Sequence, residues 1–111
     1  MTVGELLEKK TFKLINEGER TGEKITVPYC CDLLSIAMGK APSGAAWVTV
    51  MANINTLAVA ALTEVACIIL AEGVLPDEQT VNKAKEQGIT LLAAEEPIFE
   101  TSLQVYNLLN E

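Results

Sequence analysis

Fifteen Asp and Glu residues, three cysteines and a single arginine, with no histidine, are the groups in this 111-residue chain that could carry chemistry. Lack of histidine removes the commonest general base and the commonest metal ligand. A zinc site would need three or four Cys or His ligands, and Cys67 lies inside the apolar run Val65-Ala66-Cys67-Ile68-Ile69-Leu70, where it reads as a small buried hydrophobe. The neighbours Cys30 and Cys31 point to opposite faces if extended. That pattern predicts one thiol packed inside and one at the rim of a sheet, and the alternative is a reactive thiolate near the start of the following helix. Gly39-Lys40 is the nearest approach to a phosphate loop. However, Ala41 stands where Ser or Thr would hold magnesium, and Leu34 stands where the first glycine belongs. Glu95 and Glu96 precede Pro97, where acids suit the start of a helix. Asp32 reads as a helix N-cap, with a ligand contact as the alternative. Arg20 sits between Glu19 and Glu23 in a polar loop and reads as exposed. No catalytic residue, cofactor or metal is expected from this inventory.

Composition bounds the partners. Half of the residues are apolar and 21% are charged, which suits a globular domain. A formal charge of −7 argues against nucleic acid and anionic membrane, both of which need a cationic face. An odd number of cysteines, two of them adjacent, argues for free thiols and a reducing cytoplasm. Met1-Thr2-Val3-Gly4-Glu5 lacks the basic-then-apolar order of an export signal. The longest uninterrupted apolar stretch runs seven residues, Val65 to Ala71, against the ~20 of a membrane span.

The elements that must position these groups follow from periodicity and caps. Thr2 and Glu5 form a capping-box pattern ahead of a helix over about 3–9. Phe12, Leu14 and Ile15 mark a short extended segment, and the polar stretch 16–24 with Gly18 and Gly22 reads as a loop. Ile25-Thr26-Val27 reads as a strand ended by Pro28. Asp32 caps a helix over 33–38 that Gly39 stops, and Pro42-Ser43-Gly44 is a turn. Trp47 to Val50 is a strand. Ile54, Leu57, Ala58, Ala61, Leu62 and Val65 recur at helical spacing behind Asn53 or Asn55. Cys67 to Leu70 is a strand apolar on both faces. Pro76, Asp77 and Glu78 open a helix whose late Lys83 and Lys85 complement its dipole before Gly88. Ile89 to Leu92 is a strand, and Pro97 opens a last amphipathic helix. Strand and helix alternating through short connections predict a single α/β domain: a mainly parallel sheet of four or five strands with helices packed on it.

Ligands of such sheets bind beyond the carboxyl ends of the strands. That rule brings Thr49 to Asn55, Ala71 to Gly73, Cys30 to Asp32 and, further along, Ala93 to Glu95 to one rim, with Asp32, Thr49, Asn53, Asn55, Glu72 and Gly73 as the candidate binding residues. One of the two asparagines suffices as a cap, and the other is a spare amide able to read a ligand's polar edge. Gly73 has the alternative role of allowing the turn before Pro76. A small α/β sheet also leaves a helix face or strand edge in need of cover, so a homo-oligomer is expected, and a structural or interaction subunit without a small-molecule ligand is the alternative to a binding module.

The chain also resembles a known family. Asp32-Leu33-Leu34-Ser35, Met38-Gly39, Trp47-Val48-Thr49-Val50, Asn55 and Ala58-Val59-Ala60 stand in the order and spacing of the small stand-alone DRTGG-domain proteins, as do Ile68 to Gly73, Pro76 and Gly88 to Leu92. The resemblance runs over nearly the whole chain. It implies a fold similar to the N-terminal domain of HPr kinase/phosphorylase and a regulatory or ligand-sensing role, with a nucleotide or phosphometabolite as the ligand class. It also implies no kinase activity, because the family's kinase label borrows from a separate domain that carries the phosphate loop. Ala52-Asn53 replaces the family's Asp-Arg pair, and Ala71-Glu72-Gly73 replaces its Thr-Gly-Gly. Glu72 would repel a phosphate.

Overall fold

The computed structural model describes residues 1–111. Helix α1 (Val3–Lys9) carries the capping box, with Glu5 N–H donating to Thr2 Oγ1 at 3.1 Å and Thr2 N–H donating to Glu5 Oε1 at 2.8 Å. Strands β1 (Lys13–Asn16) and β2 (Pro28–Cys30) follow, then α2 (Leu34–Lys40), β3 (Ala46–Thr49), α3 (Ile54–Thr63), β4 (Cys67–Leu70), α4 (Glu78–Gln87), β5 (Leu91–Ala93) and α5 (Ile98–Leu109). The five strands form one sheet in the order β1-β5-β4-β3-β2, parallel throughout except for β1 against β5.

Strand alternation divides the core in two. Ala46 and Val48 of β3, Cys67 and Ile69 of β4 and Leu92 of β5 face α1 and α5, packing with Val3, Leu6 and Val105. Trp47, Ile68, Leu70 and Leu91 face the other way, against Ala37 of α2, Leu57 and Ala60 of α3 and Ala84 of α4. All four residues of β3 and of β4 are buried, which is why β4 reads as an unbroken apolar run and β3 carries only Thr49 as a polar residue. Each fully buried Leu or Ile contributes about 1.5–3 kcal/mol relative to exposure. Trp47, the largest, also places its indole N–H on the carbonyl of Cys31 at 3.0 Å.

The parallel strands are laid down in one direction, β2 to β3 to β4 to β5. Three like-handed crossovers then put α2, α3 and α4 on the same face. The opposite face would stay bare, and α5 crosses back over β2 and β3 to cover it with α1.

Several expected boundaries move, β5 among them (Leu91–Ala93 rather than 89–92), and two bear on the rim. The first is the early strand, which begins at Pro28 rather than ending there. Ile25 and Thr26 spend their N–H groups on Met1 and Gly44 carbonyls, so pairing with β3 starts at Pro28↔Ala46. A proline is tolerated at that place because β2 is an edge strand and Pro28 is its first residue. The second is α2, which starts at Leu34 and runs through Gly39 to Lys40. Nothing lies within 4 Å of a Cβ built on Gly39, so this glycine sits in an ordinary exposed turn and does not stop the helix.

Candidate functional site

The carboxyl ends of β2, β3, β4 and β5 point to one rim, since these four strands are parallel. Asp32 follows β2 there but does not cap α2. The N-cap is Leu33, which has no capping side chain. The Asp32 carboxylate instead accepts from Thr49 Oγ1 at 2.7 Å and from Val50 N–H at 3.0 Å. It bridges two adjacent strand ends, because a short side chain finds the free donors of a neighbouring strand as readily as those of its own helix. Thr49 is fully buried, and its hydroxyl also accepts from Met51 N–H at 3.2 Å. Both of its hydrogen-bonding roles are therefore taken within the chain.

Asn53 caps α3 by accepting from the N–H groups of Asn55 and Thr56 at 2.9 and 3.2 Å. Asn55 stands exposed in the first turn. Beneath Asn53, the seam lined by Met51, Leu57, Ile68, Leu70 and Leu91 has no room for a water molecule. Glu72 and Gly73 turn the chain after β4, both with left-handed backbones (φ 63° and 70°). Glu72 N–H donates to Glu96 O and Gly73 N–H to Ala94 O, both at 2.9 Å. These donors are consumed by the loop after β5.

Both loops stand at the rim as expected, and what the residue pattern does not single out is the groove between them. The chain leaves β4 toward α4 on one face of the sheet and leaves β5 toward α5 on the other. Divergence of adjacent connections is what opens a crevice at the carboxyl end of a parallel sheet. Here it forms a groove of about 180 Å³ lined by Thr11, Lys13, Gly73, Leu75 and Ala93 to Glu96. A Cβ on Gly73 would come within 2.8 Å of Glu95 Oε2, so the bare glycine backbone leaves room for that carboxylate at the groove's edge. Gly73 is thus the one candidate residue that lines this groove. Asn53 borders the closed seam instead, and Asp32 and Thr49 bind each other. Lys13 and Thr11 could not be found from local pattern, because they reach the rim only through the antiparallel pairing Lys13↔Ala93.

No protein-family model matches the chain, and no curated protein matches it.

The thiols divide by environment. Cys30 Sγ lies 2.9 Å from Ser102 Oγ on the α5 side, while Cys31 Sγ donates to Leu33 O at 3.3 Å on the other. The vicinal pair therefore faces opposite ways, as an extended backbone requires. Burial, with the Glu23 carboxylate adding to it, pushes the Cys67 thiol up to about 12. Burial also raises the Tyr29 hydroxyl above its usual range, with Cys31 contributing. No three His, Cys, Asp or Glu side chains come together in a metal-binding arrangement, and no helix is long and apolar enough to cross a membrane. Arg20, exposed as expected, borders a second groove of about 190 Å³ at the opposite end of the strands with Glu19, Ala60, Ala61 and Gly88.

Proposed function

We propose that the chain is a non-catalytic, cytoplasmic module that binds a small polar metabolite in the groove between the loops after β4 and β5. The observation that carries this reading is the departure of those loops to opposite faces, with Lys13, Gly73 and Glu95 meeting where they part. Size narrows the ligand. Sites for drug-sized molecules measure about 300–1,000 Å³, and 180 Å³ suits a molecule of amino-acid dimensions. Charge narrows it further. Glu95 and Glu96 face a single Lys13, which favours an ammonium or hydroxyl-bearing ligand over a phosphate. The resemblance to DRTGG domains over nearly the whole chain supports a sensing role. The free cysteines support a reducing compartment.

Thermal-shift screening of the chain against amino acids, polyamines, nucleotides, coenzyme A derivatives and sugar phosphates tests the proposal. The expected outcome is stabilisation by an ammonium-bearing ligand that is lost in Glu95→Gln and reduced in Lys13→Ala. No shift with any compound, or a shift that survives both substitutions, would end it.

A further inference from the structure

Helix α5 turns one stripe to solvent. Phe99, Leu103 and Tyr106 are 70%, 43% and 54% exposed and fall on one side of the helix, while Thr101, Ser102 and Val105 pack inward. The chain has only five aromatic residues, and two of them are spent on this stripe. Together the three side chains leave on the order of 300 Å² in water, the size of patch that on a typical monomer is often functional. Beside the carboxyl-terminal half of the stripe lies an open groove of about 360 Å³ lined by Ile25, Val27, Pro28, Tyr106 and Leu109 among others. That is more than twice the roughly 150 Å³ that accommodates benzene in a protein interior.

We propose that the occupant of this face is a second copy of the chain, docked two-fold through antiparallel α5 helices. With the axis at Leu103, Phe99 of each copy arrives beside Tyr106 of the other, at the mouth of the groove. Knob and hole lie on the same helix about equally far from Leu103, which is the self-complementarity a two-fold contact requires. Charge selects the same orientation. Glu100 is the only ionised side chain of α5, and antiparallel packing sets it against the neutral Asn107 and the Tyr106 hydroxyl of the other copy. Parallel packing would bring the two Glu100 carboxylates together. The open edge of β2 is the less suitable surface, since Pro28 has no N–H to offer an added strand. A stable contact needs about 800 Å² per partner; the groove walls and the polar flank of Glu100, Asn107 and Asn110 add to the apolar stripe.

Sedimentation equilibrium of the full chain should give twice its 11.9 kDa mass. Phe99→Asp should weaken association about 30-fold or more, as loss of a central anchor does. Leu62→Asp should leave it unchanged, because Leu62 is equally exposed but lies on α3 across the sheet. Leu103→Cys, placed in a Cys30→Ser, Cys31→Ser background, should give a disulfide-linked dimer on mild oxidation, because only a residue at a two-fold axis meets itself. Circular dichroism separates loss of folding from loss of association. A monomer at about 100 μM, a dimer indifferent to Phe99→Asp, or no cross-link through Cys at 103 would each overturn the assignment.

Discussion

The carboxylate of Asp32 accepts the hydroxyl proton of Thr49 across 2.7 Å, joining residues 17 apart in sequence at the ends of two adjacent strands. The same oxygen takes Val50 N–H. One exposed acid therefore fixes the point at which β3 stops and the chain turns toward α3.

Removing that acid leaves a buried hydroxyl and a backbone N–H with no acceptor. Asp32→Ala is expected to cost about 1–3 kcal/mol, read as a lower urea midpoint at unchanged slope. Asp32→Asn keeps an acceptor oxygen and should recover most of the loss. An unchanged midpoint in Asp32→Ala would show that the bridge contributes nothing.

The polar loop before β2 is held just as closely. Gly18 N–H donates to Thr90 Oγ1 at 3.0 Å, and Glu19 N–H donates to Gly88 O at 3.0 Å. A Cβ at Gly18 would overlap the Gly88 carbonyl and stand 2.7 Å from Thr90 N, both rigid backbone. Gly18→Ala should destabilise by more than about 2 kcal/mol. Gly22→Ala meets nothing within 4 Å and should be close to neutral. Thermal unfolding of the two variants side by side makes the comparison, and similar midpoints would refute the close packing.

Cys67 gives the fold a dependence on alkaline pH. Its thiol rises from an ordinary 9.0 to about 12 on burial, so the folded chain holds this proton more tightly than the unfolded one. The resulting stability is complete below the unfolded value near 9 and is lost as pH climbs toward 12. Cys67→Ala should flatten that limb of the stability curve while lowering stability at neutral pH through the cavity it leaves. Maleimide labelling of the native chain should reach the exposed Cys30 and spare Cys67, which is fully buried. Rapid native labelling of Cys67 would contradict the burial.

What the sequence determined by itself is what depends on near neighbours. The Thr2–Glu5 box, an asparagine cap at 53 or 55, the helical spacing from Ile54 onward, the apolar run of β4 and the opposite facing of Cys30 and Cys31 all arise within a few residues, where backbone sterics and local hydrogen bonds decide. The alternation of strands and helices carried the α/β class as well. Tertiary structure decided where each strand lies and what the polar side chains bind. Asp32 has the composition of a cap and serves as a bridge, because the donors at the end of β3 come nearer to it than the start of α2. Ile25 and Thr26 have strand propensity yet pair elsewhere, since Met1 and Gly44 carbonyls capture their N–H groups. Lys13 meets Gly73 and Glu95 only because β1 closes the sheet antiparallel to β5. Such partners lie tens of residues apart, and their choice rests on how whole layers pack, which no local spacing records.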